Sequence, residues 1–424
     1  MTTFFLKTFG CKTNQTESAV MEEKLLEKGY EKGAKENADY LIINSCAVTL
    51  EAEKKLMAYI KSVRHSNPAV KVVVTGCFAQ LNSSLKNPLI DKIVGIYEKP
   101  DIAEILENDD TNIVSDINSH EKFRYEKLNH IERTRAVVKI QDGCNNRCSY
   151  CTICIARGKS RSCELKDITE QINSLARNGY NEVILTGIHV GQWGLDFDEK
   201  KSLTDLFEEI EKTDIKTYRI GSLDPNEITD ELITFLSKSE KFCPHFHLSL
   251  QSLCDKTLKN MNRHYNFEKI KNRVNVLNEK FKNVFLGCDI IVGFPKETEE
   301  DFVQTFERLN ELPLSQIHVF PYSIRPNTVA ANMDRQVEKE EKHKRMKLVK
   351  ELSDKKHLEF LEKNIGETYF ITPEKKPDKK TGLYKAVTPN YIKVLFKEKP
   401  KSDYCLIRLE TVDRENHTVF GKLI

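Results

Sequence analysis

Residues 143–151 read GCNNRCSYC. Their spacing lets Cys144, Cys148 and Cys151 serve one site, directly after a short apolar strand over Ala136–Ile140. Three thiolates at Cys-x3-Cys-x2-Cys spacing can hold three irons of a cubane cluster and leave the fourth without a protein ligand. An iron with an open position can take a small ligand, as a catalytic zinc does at its free site. Cys154 keeps two other readings open. One is a structural zinc site made of Cys144, Cys148, Cys151 and Cys154. The other is a ferredoxin run, which needs a fourth cysteine three residues on and usually a second copy. Position 158 is Gly158, and the sequence holds no second copy.

A length of 424 residues suggests about three domains. No apolar run approaches the roughly 20 residues that span a bilayer, so no membrane association is expected. The start MTTFFLKTFGCKTNQ lacks the basic head and long apolar stretch of a secretory signal. Twelve cysteines without an export signal point to a reducing, cytoplasmic setting, where thiolates serve metals. A net charge of +2 does not mark a bulk polyanion binder, so any nucleic-acid contact must be local.

The first 100 residues repeat one unit, a short apolar strand running into a cysteine. Phe4–Phe9 leads to Cys11, Tyr40–Ile43 to Cys46, and Val72–Thr75 to Cys77. Helical stretches Glu17–Lys28 and Glu51–Arg64 separate them, giving βαβαβ and a parallel sheet. The carboxyl ends of such strands lie side by side, so three distant cysteines would converge at one edge. They could hold a second three-thiolate cubane, or be three buried small hydrophobes. Asn14 and Gln15 could donate to sulfur or ligand, or form a solvated loop.

From about residue 135 the chain alternates strand and helix six times. The strands are Ala136–Ile140, Glu182–Thr186, Thr217–Ser222, Phe246–Leu250, Phe285–Val292 and Gln316–Tyr322. Six βα units make a partial (β/α)6 barrel, with chemistry at the strands' C-terminal ends. Candidate cofactor contacts there are Gly187, Ser222, Gln251, Asp289 and Gly293, with Tyr150 beside the cysteines. Glycine at 187 lets backbone approach a ligand. Asp289, within an apolar strand, requires a partner. His247 and His318 are expected as satisfied core residues.

Residues 335–363 read as a solvated, charged helix. Beyond Gly366, five short strands suggest a small β-barrel, an architecture often used on oligonucleotides. Lys375, Lys376, Lys379, Lys380, Lys393, Lys397, Lys399 and Lys401 surround Tyr384, Tyr391 and Phe396, which could stack on bases.

Taken over residues 1–424, the chain resembles the radical-SAM methylthiotransferases. The resemblance rests on GCNNRCSYCTICIARGKSRS at 143–162, RIGSLDP at 219–225 and DIIVGFPKET at 289–298. HFHLSLQS at 245–252, NMNRHY at 260–265 and VFPYSIRPNT at 319–328 resemble more narrowly the branch acting on N6-threonylcarbamoyladenosine of tRNA. The isopentenyladenosine branch usually has Pro-Val where this chain has Ser249-Leu250. The resemblance implies an α/β protein in three parts: an N-terminal parallel domain over 1–125, a radical-SAM barrel with the charged helix over 130–362, and a TRAM-like β domain over 363–424.

It further implies two 4Fe–4S clusters, one on Cys144, Cys148 and Cys151 that binds S-adenosylmethionine (SAM), and an auxiliary one on Cys11, Cys46 and Cys77. One SAM would methylate sulfur on the auxiliary cluster, and another would yield the deoxyadenosyl radical that activates C2 of the adenine. The implied partners are the tRNA anticodon loop, where a base can be splayed out, and an electron donor such as flavodoxin or ferredoxin. Alternatives are methylthiolation of isopentenyladenosine or of a ribosomal-protein side chain, and an iron–sulfur RNA-binding protein without catalysis. Four positions depart from the family pattern: Cys154 for Pro, Leu253 for Gly, Asp224 for Glu and Lys296 for Gly. They bear on loop geometry, not on the expected ligands.

Overall fold

The computed structural model describes residues 1–47, 49–128 and 134–424. Its N-terminal part is a parallel sheet in the order β2-β1-β3-β4-β5-β6. The chain runs β1 (Thr3–Thr8), α1 (Lys12–Glu27), β2 (Glu31–Lys32), β3 (Tyr40–Ser45), α2 (Leu50–Ser66), β4 (Lys71–Gly76), α3 (Cys77–Leu81), β5 (Lys92–Val94), α4 (Ile102–Glu107) and β6 (Asn112–Ile113). The β-branched run in β4 is buried on both faces, as a central parallel strand requires. Thr49 accepts from the Ala52 N–H and so starts α2. Helix α1 begins at Lys12, earlier than the sequence pattern suggested. Asn14 and Gln15 therefore lie in its first turn, and Asn14 is buried.

The middle holds β7 (Ala136–Lys139), β8 (Gln141–Asp142), α5 (Ile153–Arg157), β9 (Arg161–Ser162), α6 (Leu165–Arg177), β10 (Glu182–Thr186), α7 (Leu203–Glu211), β11 (Thr217–Ile220) and α8 (Asp230–Leu236). It continues through β12 (His245–Gln251), α9 (Asp255–Asn260), α10 (Phe267–Lys280), β13 (Phe285–Val292), α11 (Glu299–Glu311), β14 (Gln316–Pro321) and α12 (Lys339–Lys363). Strands β7, β10 and β11 form one parallel sheet, and β12, β13 and β14 another. Single bridges, Tyr218 to Phe242 and Leu223 to Leu248, join the two sheets. The result is a six-stranded open barrel. Strands β10 and β13 have the bounds read from the sequence. The largest apolar core runs between these strands and their helices and includes Trp193, Phe207 and Phe246.

Helix α12 is not solvated all round. Lys342, Arg345, Val349, Leu352, Phe360 and Leu361 are buried. Arg345 donates to Glu297 at 2.6 Å and to Glu299 at 3.2 Å, while Phe360 and Leu361 enter the C-terminal core. A helix that bridges two cores needs a buried stripe, and charge content alone does not reveal it.

The C-terminal part comprises β15 (Thr368–Ile371), β16 (Tyr384–Val387), β17 (Lys393–Phe396), β18 (Cys405–Asp413) and β19 (Thr418–Leu423), in the order β15-β18-β19-β17-β16. Phe396, read as a stacking surface, is 1% exposed and belongs to the core. Its strand alternates faces, and residue 396 falls on the inner one. Lys296 adopts φ +68°, a left-handed conformation in which the usual glycine carries no steric cost. The junction between the first two expected domains falls partly on 129–133, outside the described residues.

Candidate functional site

Parallel register sets the first group of cysteines. Thr8 pairs with Asn44, and Ser45 with Gly76, so β1, β3 and β4 end together. Cys11 caps α1, Cys46 follows β3, and Cys77 opens α3. Gly76 turns the chain at φ +93°, where a Cβ would meet the Ser45 carbonyl and stand 2.7 Å from Asn44 Oδ1. Only glycine allows that approach, and it is what places Cys77.

The second group follows β7. The Cys144 N–H donates to the Gly158 carbonyl at 3.0 Å, and the Cys151 N–H to the Cys148 carbonyl at 3.1 Å, which folds the loop back on itself. Each sulfur has a polar neighbour. Cys144 Sγ lies 3.4 Å from His189 Nδ1, Cys148 Sγ accepts from Arg263 Nη1 at 3.2 Å, and Cys151 Sγ accepts from the Ile153 N–H at 3.4 Å. Glu227 pairs with His189 on its other nitrogen. Asp224 holds Arg263 at 2.7 Å and Tyr265 holds it at 2.8 Å. Burial pushes the Cys151 thiol up to about 12.

All six cysteines line one cavity of about 1230 Å³. That exceeds the roughly 300–1,000 Å³ of a single small-molecule pocket. Tyr150, Gly187, Ser222, Gln251 and Asp289 line it too. Gly293 does not. It packs against Lys342, and its N–H donates to Glu297 at 2.8 Å. Cys154 stands outside the lining, with its sulfur turned to the Cys151 carbonyl at 3.9 Å, so the four-thiolate zinc reading is not assembled.

His247 and His318 also depart from expectation, since both line the cavity. His247 Nε2 lies 3.0 Å from Asp289 Oδ1, and the two imidazoles sit 5.3 Å apart. Their strands present alternate residues to the barrel interior, and this interior is open. The pairing of β12 with β13 shifts register between Leu248 and Gln251, and Gln251 takes φ +63°. Such a bulge re-aims a side chain at a strand end.

Arg157, quoted only within the motif, proves central. It is 0% exposed and lines the cavity. Its guanidinium donates to Glu17 at 2.7 Å, Asp142 at 2.9 Å and Asn14 at 2.8 Å. Lys139 reaches Glu17 and Asp142 at 2.7 Å each, and Lys99 also pairs with Glu17. Burial alone would raise the Glu17 carboxyl, but Arg157, Lys139 and Lys99 together hold it well below the usual carboxylate range. These bonds tie α1, which follows Cys11, to the loop that carries Cys144. They thereby set the two cysteine groups against each other.

The lining fits sulfur-rich clusters. Thr13 Oγ1 and Arg157 Nε are buried, have no hydrogen-bond partner, and border the N-terminal cysteines in the cavity wall. Both can donate to cluster or ligand sulfur. No three side chains among the described residues converge on a single metal ion. A cubane spreads its thiolates around four irons, so it requires the wider spacing. Iron binding displaces the proton of a buried thiol and releases it to solvent, so the protonated thiols here are compatible with thiolate ligation.

The radical SAM superfamily model matches residues 138–309, and uncharacterized protein family UPF0004 matches residues 3–95. The chain is 37% identical over 370 residues to threonylcarbamoyladenosine tRNA methylthiotransferase MtaB of Aquifex aeolicus, covering 85% of this chain and 90% of the relative. It is 34% identical to the Thermotoga maritima protein of that name, covering 98% and 96%. The tRNA-2-methylthio-N(6)-dimethylallyladenosine synthase of Clostridium botulinum is 35% identical, covering 84% and 83%. In fold, the chain resembles the radical SAM methyltransferase TsrM of Kitasatospora setae, with TM-score 0.59 and 14% identity over 78% of this chain and 75% of that one. Identity at this level over nearly the full length settles membership, and the chain belongs to the radical-SAM methylthiotransferase family.

Proposed function

We propose that this enzyme methylthiolates C2 of N6-threonylcarbamoyladenosine at position 37 of tRNA. The observation that carries the reading is that six cysteines from two separate sheets open onto one cavity. In it, Cys144, Cys148 and Cys151 hold the cluster that binds SAM, and Cys11, Cys46 and Cys77 hold the auxiliary cluster. When bound, SAM and the two 4Fe–4S clusters supply the one-electron chemistry, the sulfur and the methyl group that no side chain here can provide.

The protein's own part is positioning. Arg263 and His189 steady the sulfurs of Cys148 and Cys144 from behind. Tyr150, Gly187, Ser222, Gln251 and Asp289 line the space between the two groups, and Asp289 is oriented by His247. Gly187 lets Gln141 approach closely, because a Cβ there would stand 2.8 Å from Gln141 Oε1, which accepts from the Ile188 and His189 N–H groups. The C-terminal sheet closes one side of the cavity with Tyr391 and Lys393. An aromatic ring beside a lysine suits a single-stranded anticodon loop.

The domain division at 1–125, 130–362 and 363–424, with a TRAM-like last part, belongs to the same reading. So do a cytoplasmic setting and an electron donor such as flavodoxin or ferredoxin. No described helix is long and apolar enough to cross a membrane.

Mass spectrometry of tRNA nucleosides from the host, with and without this gene, tests the substrate. Loss of 2-methylthio-N6-threonylcarbamoyladenosine with accumulation of its precursor is expected. Loss of the methylthio-isopentenyl nucleoside instead, or an unmethylthiolated ribosomal protein with unchanged tRNA, overturns the assignment.

A further inference from the structure

The cavity walls carry more positive charge than they neutralise. Of their lysines and arginines, Arg157 pairs with Glu17 and Asp142, Arg263 with Asp224 and Lys385 with Asp378, while Lys393 stands exposed. Arg135 reaches Glu182 only at 4.0 Å, and that carboxylate is already held by buried Arg219 at 2.6 Å. Lys12, one residue after Cys11, has no carboxylate within ion-pair distance among the described residues. The cavity's own carboxylates do not answer it, since Asp224 is bound to Arg263, Asp289 to His247, and Glu374 stands exposed on the C-terminal strand side.

A second observation lies beside it. His245 lines the same cavity and is 5% exposed, and its Nδ1 has no hydrogen-bond partner. The Tyr391 ring lies 4.2 Å from the imidazole and 5.5 Å from the Arg219 guanidinium. Burial, with Arg219 and Lys12 nearby, holds His245 well below its ordinary pKa, so its ring is neutral and, in the tautomer with hydrogen on Nδ1, that nitrogen donates. An unpaired ammonium and an orphaned buried nitrogen in one wall are both satisfied by a bound carboxylate.

We propose that Lys12 and Arg135, with His245, form the subsite that takes the threonyl carboxylate of N6-threonylcarbamoyladenosine and so selects it over adenosine and over an apolar N6 substituent. The inference rests on the substrate reading above. An isopentenyl group would leave Lys12 desolvated and unpaired, and that is the penalty by which a polar site rejects an apolar analogue. A phosphodiester of the RNA offers the same anionic chemistry, and binding measurements separate the two sources.

The test measures affinity of the cluster-loaded protein for anticodon stem–loop RNAs carrying threonylcarbamoyladenosine, adenosine or isopentenyladenosine at position 37, at two salt concentrations. The wild type is expected to prefer the threonylcarbamoyl RNA over the adenosine RNA. In Lys12→Ala the ratio of the two dissociation constants should fall by about ten-fold or more, the size of one lost charge-assisted hydrogen bond. Lys12→Arg should keep most of the preference, which also excludes a folding defect at this position. Equal weakening on both RNAs with a smaller salt slope would mean that Lys12 meets phosphate and would overturn the proposal. So would an unchanged ratio, or a wild type that methylthiolates the threonylcarbamoyl RNA without preferring it. A wild type that modifies the isopentenyl RNA and ignores the threonylcarbamoyl one overturns the substrate reading itself.

Discussion

Replacing Arg157 by Met removes one cation from a charge network shielded from solvent. The guanidinium is 0% exposed, donates to Glu17 at 2.7 Å and 3.1 Å, and bonds Asp142 and Asn14 as well. Breaking a buried pair from one side costs about 3–5 kcal/mol, because the partner stays buried and uncompensated. Here two carboxylates would keep two lysines, with Lys139 on both Glu17 and Asp142 and Lys99 on Glu17. The expected loss is therefore at the low end, about 3 kcal/mol. Arg157→Lys keeps the charge but cannot span three acceptors, so about 1–2 kcal/mol is expected. Urea unfolding of the anaerobic apo-protein at neutral pH measures this. Trp193 is the chain's one tryptophan and lies in the barrel core, so its fluorescence reports the transition. A loss below about 1 kcal/mol for Arg157→Met would refute the reasoning. So would strict additivity with Glu17→Gln, since residues in one network must couple.

Acid should act on the same network. Glu17 and Asp142 are held below their ordinary values, so the stability they contribute is complete above their unfolded pKa and is lost as pH falls toward the folded one. The wild-type urea midpoint should drop below about pH 4.5, and less steeply in Glu17→Gln; parallel curves would refute it. Cys144→Ala should abolish deoxyadenosine formation while the N-terminal cysteines still bind iron, read by chromatography and iron analysis. Cys77→Ala should spare that cleavage and stop sulfur insertion; a normal methylthio product would disprove its role. Arg263→Gln removes a charged donor from Cys148 Sγ and should lower the potential of the cluster there by on the order of tens of millivolts. A redox titration followed by electron paramagnetic resonance that shows no shift would count against the contact.

Sequence and tertiary structure divide the account of this protein unevenly. Strand and helix are local, because a central parallel strand is a short, nearly continuous apolar run buried on both faces. Glu182–Thr186 and Phe285–Val292 could therefore be read with their bounds. The convergence of Cys11, Cys46 and Cys77 was also legible, since parallel strands joined by helices must end side by side. Local pattern does not say which face of an element meets another element. Phe396 lies in a core, His247 and His318 face an open barrel interior, Gly293 sits under α12, and that helix buries a stripe of its charged surface. The pairing of Arg157 with Glu17 joins residues 140 apart in sequence. The grouping of Lys12, Arg135 and His245 joins α1, the residue before β7 and the start of β12. Such contacts depend on how sheets pack together, and no periodicity encodes that. The sequence by itself pointed to iron–sulfur chemistry at Cys144, Cys148 and Cys151, because their spacing is a local property and carries the family resemblance. Only the tertiary structure decided that both cysteine groups share one cavity and which charges remain unpaired within it.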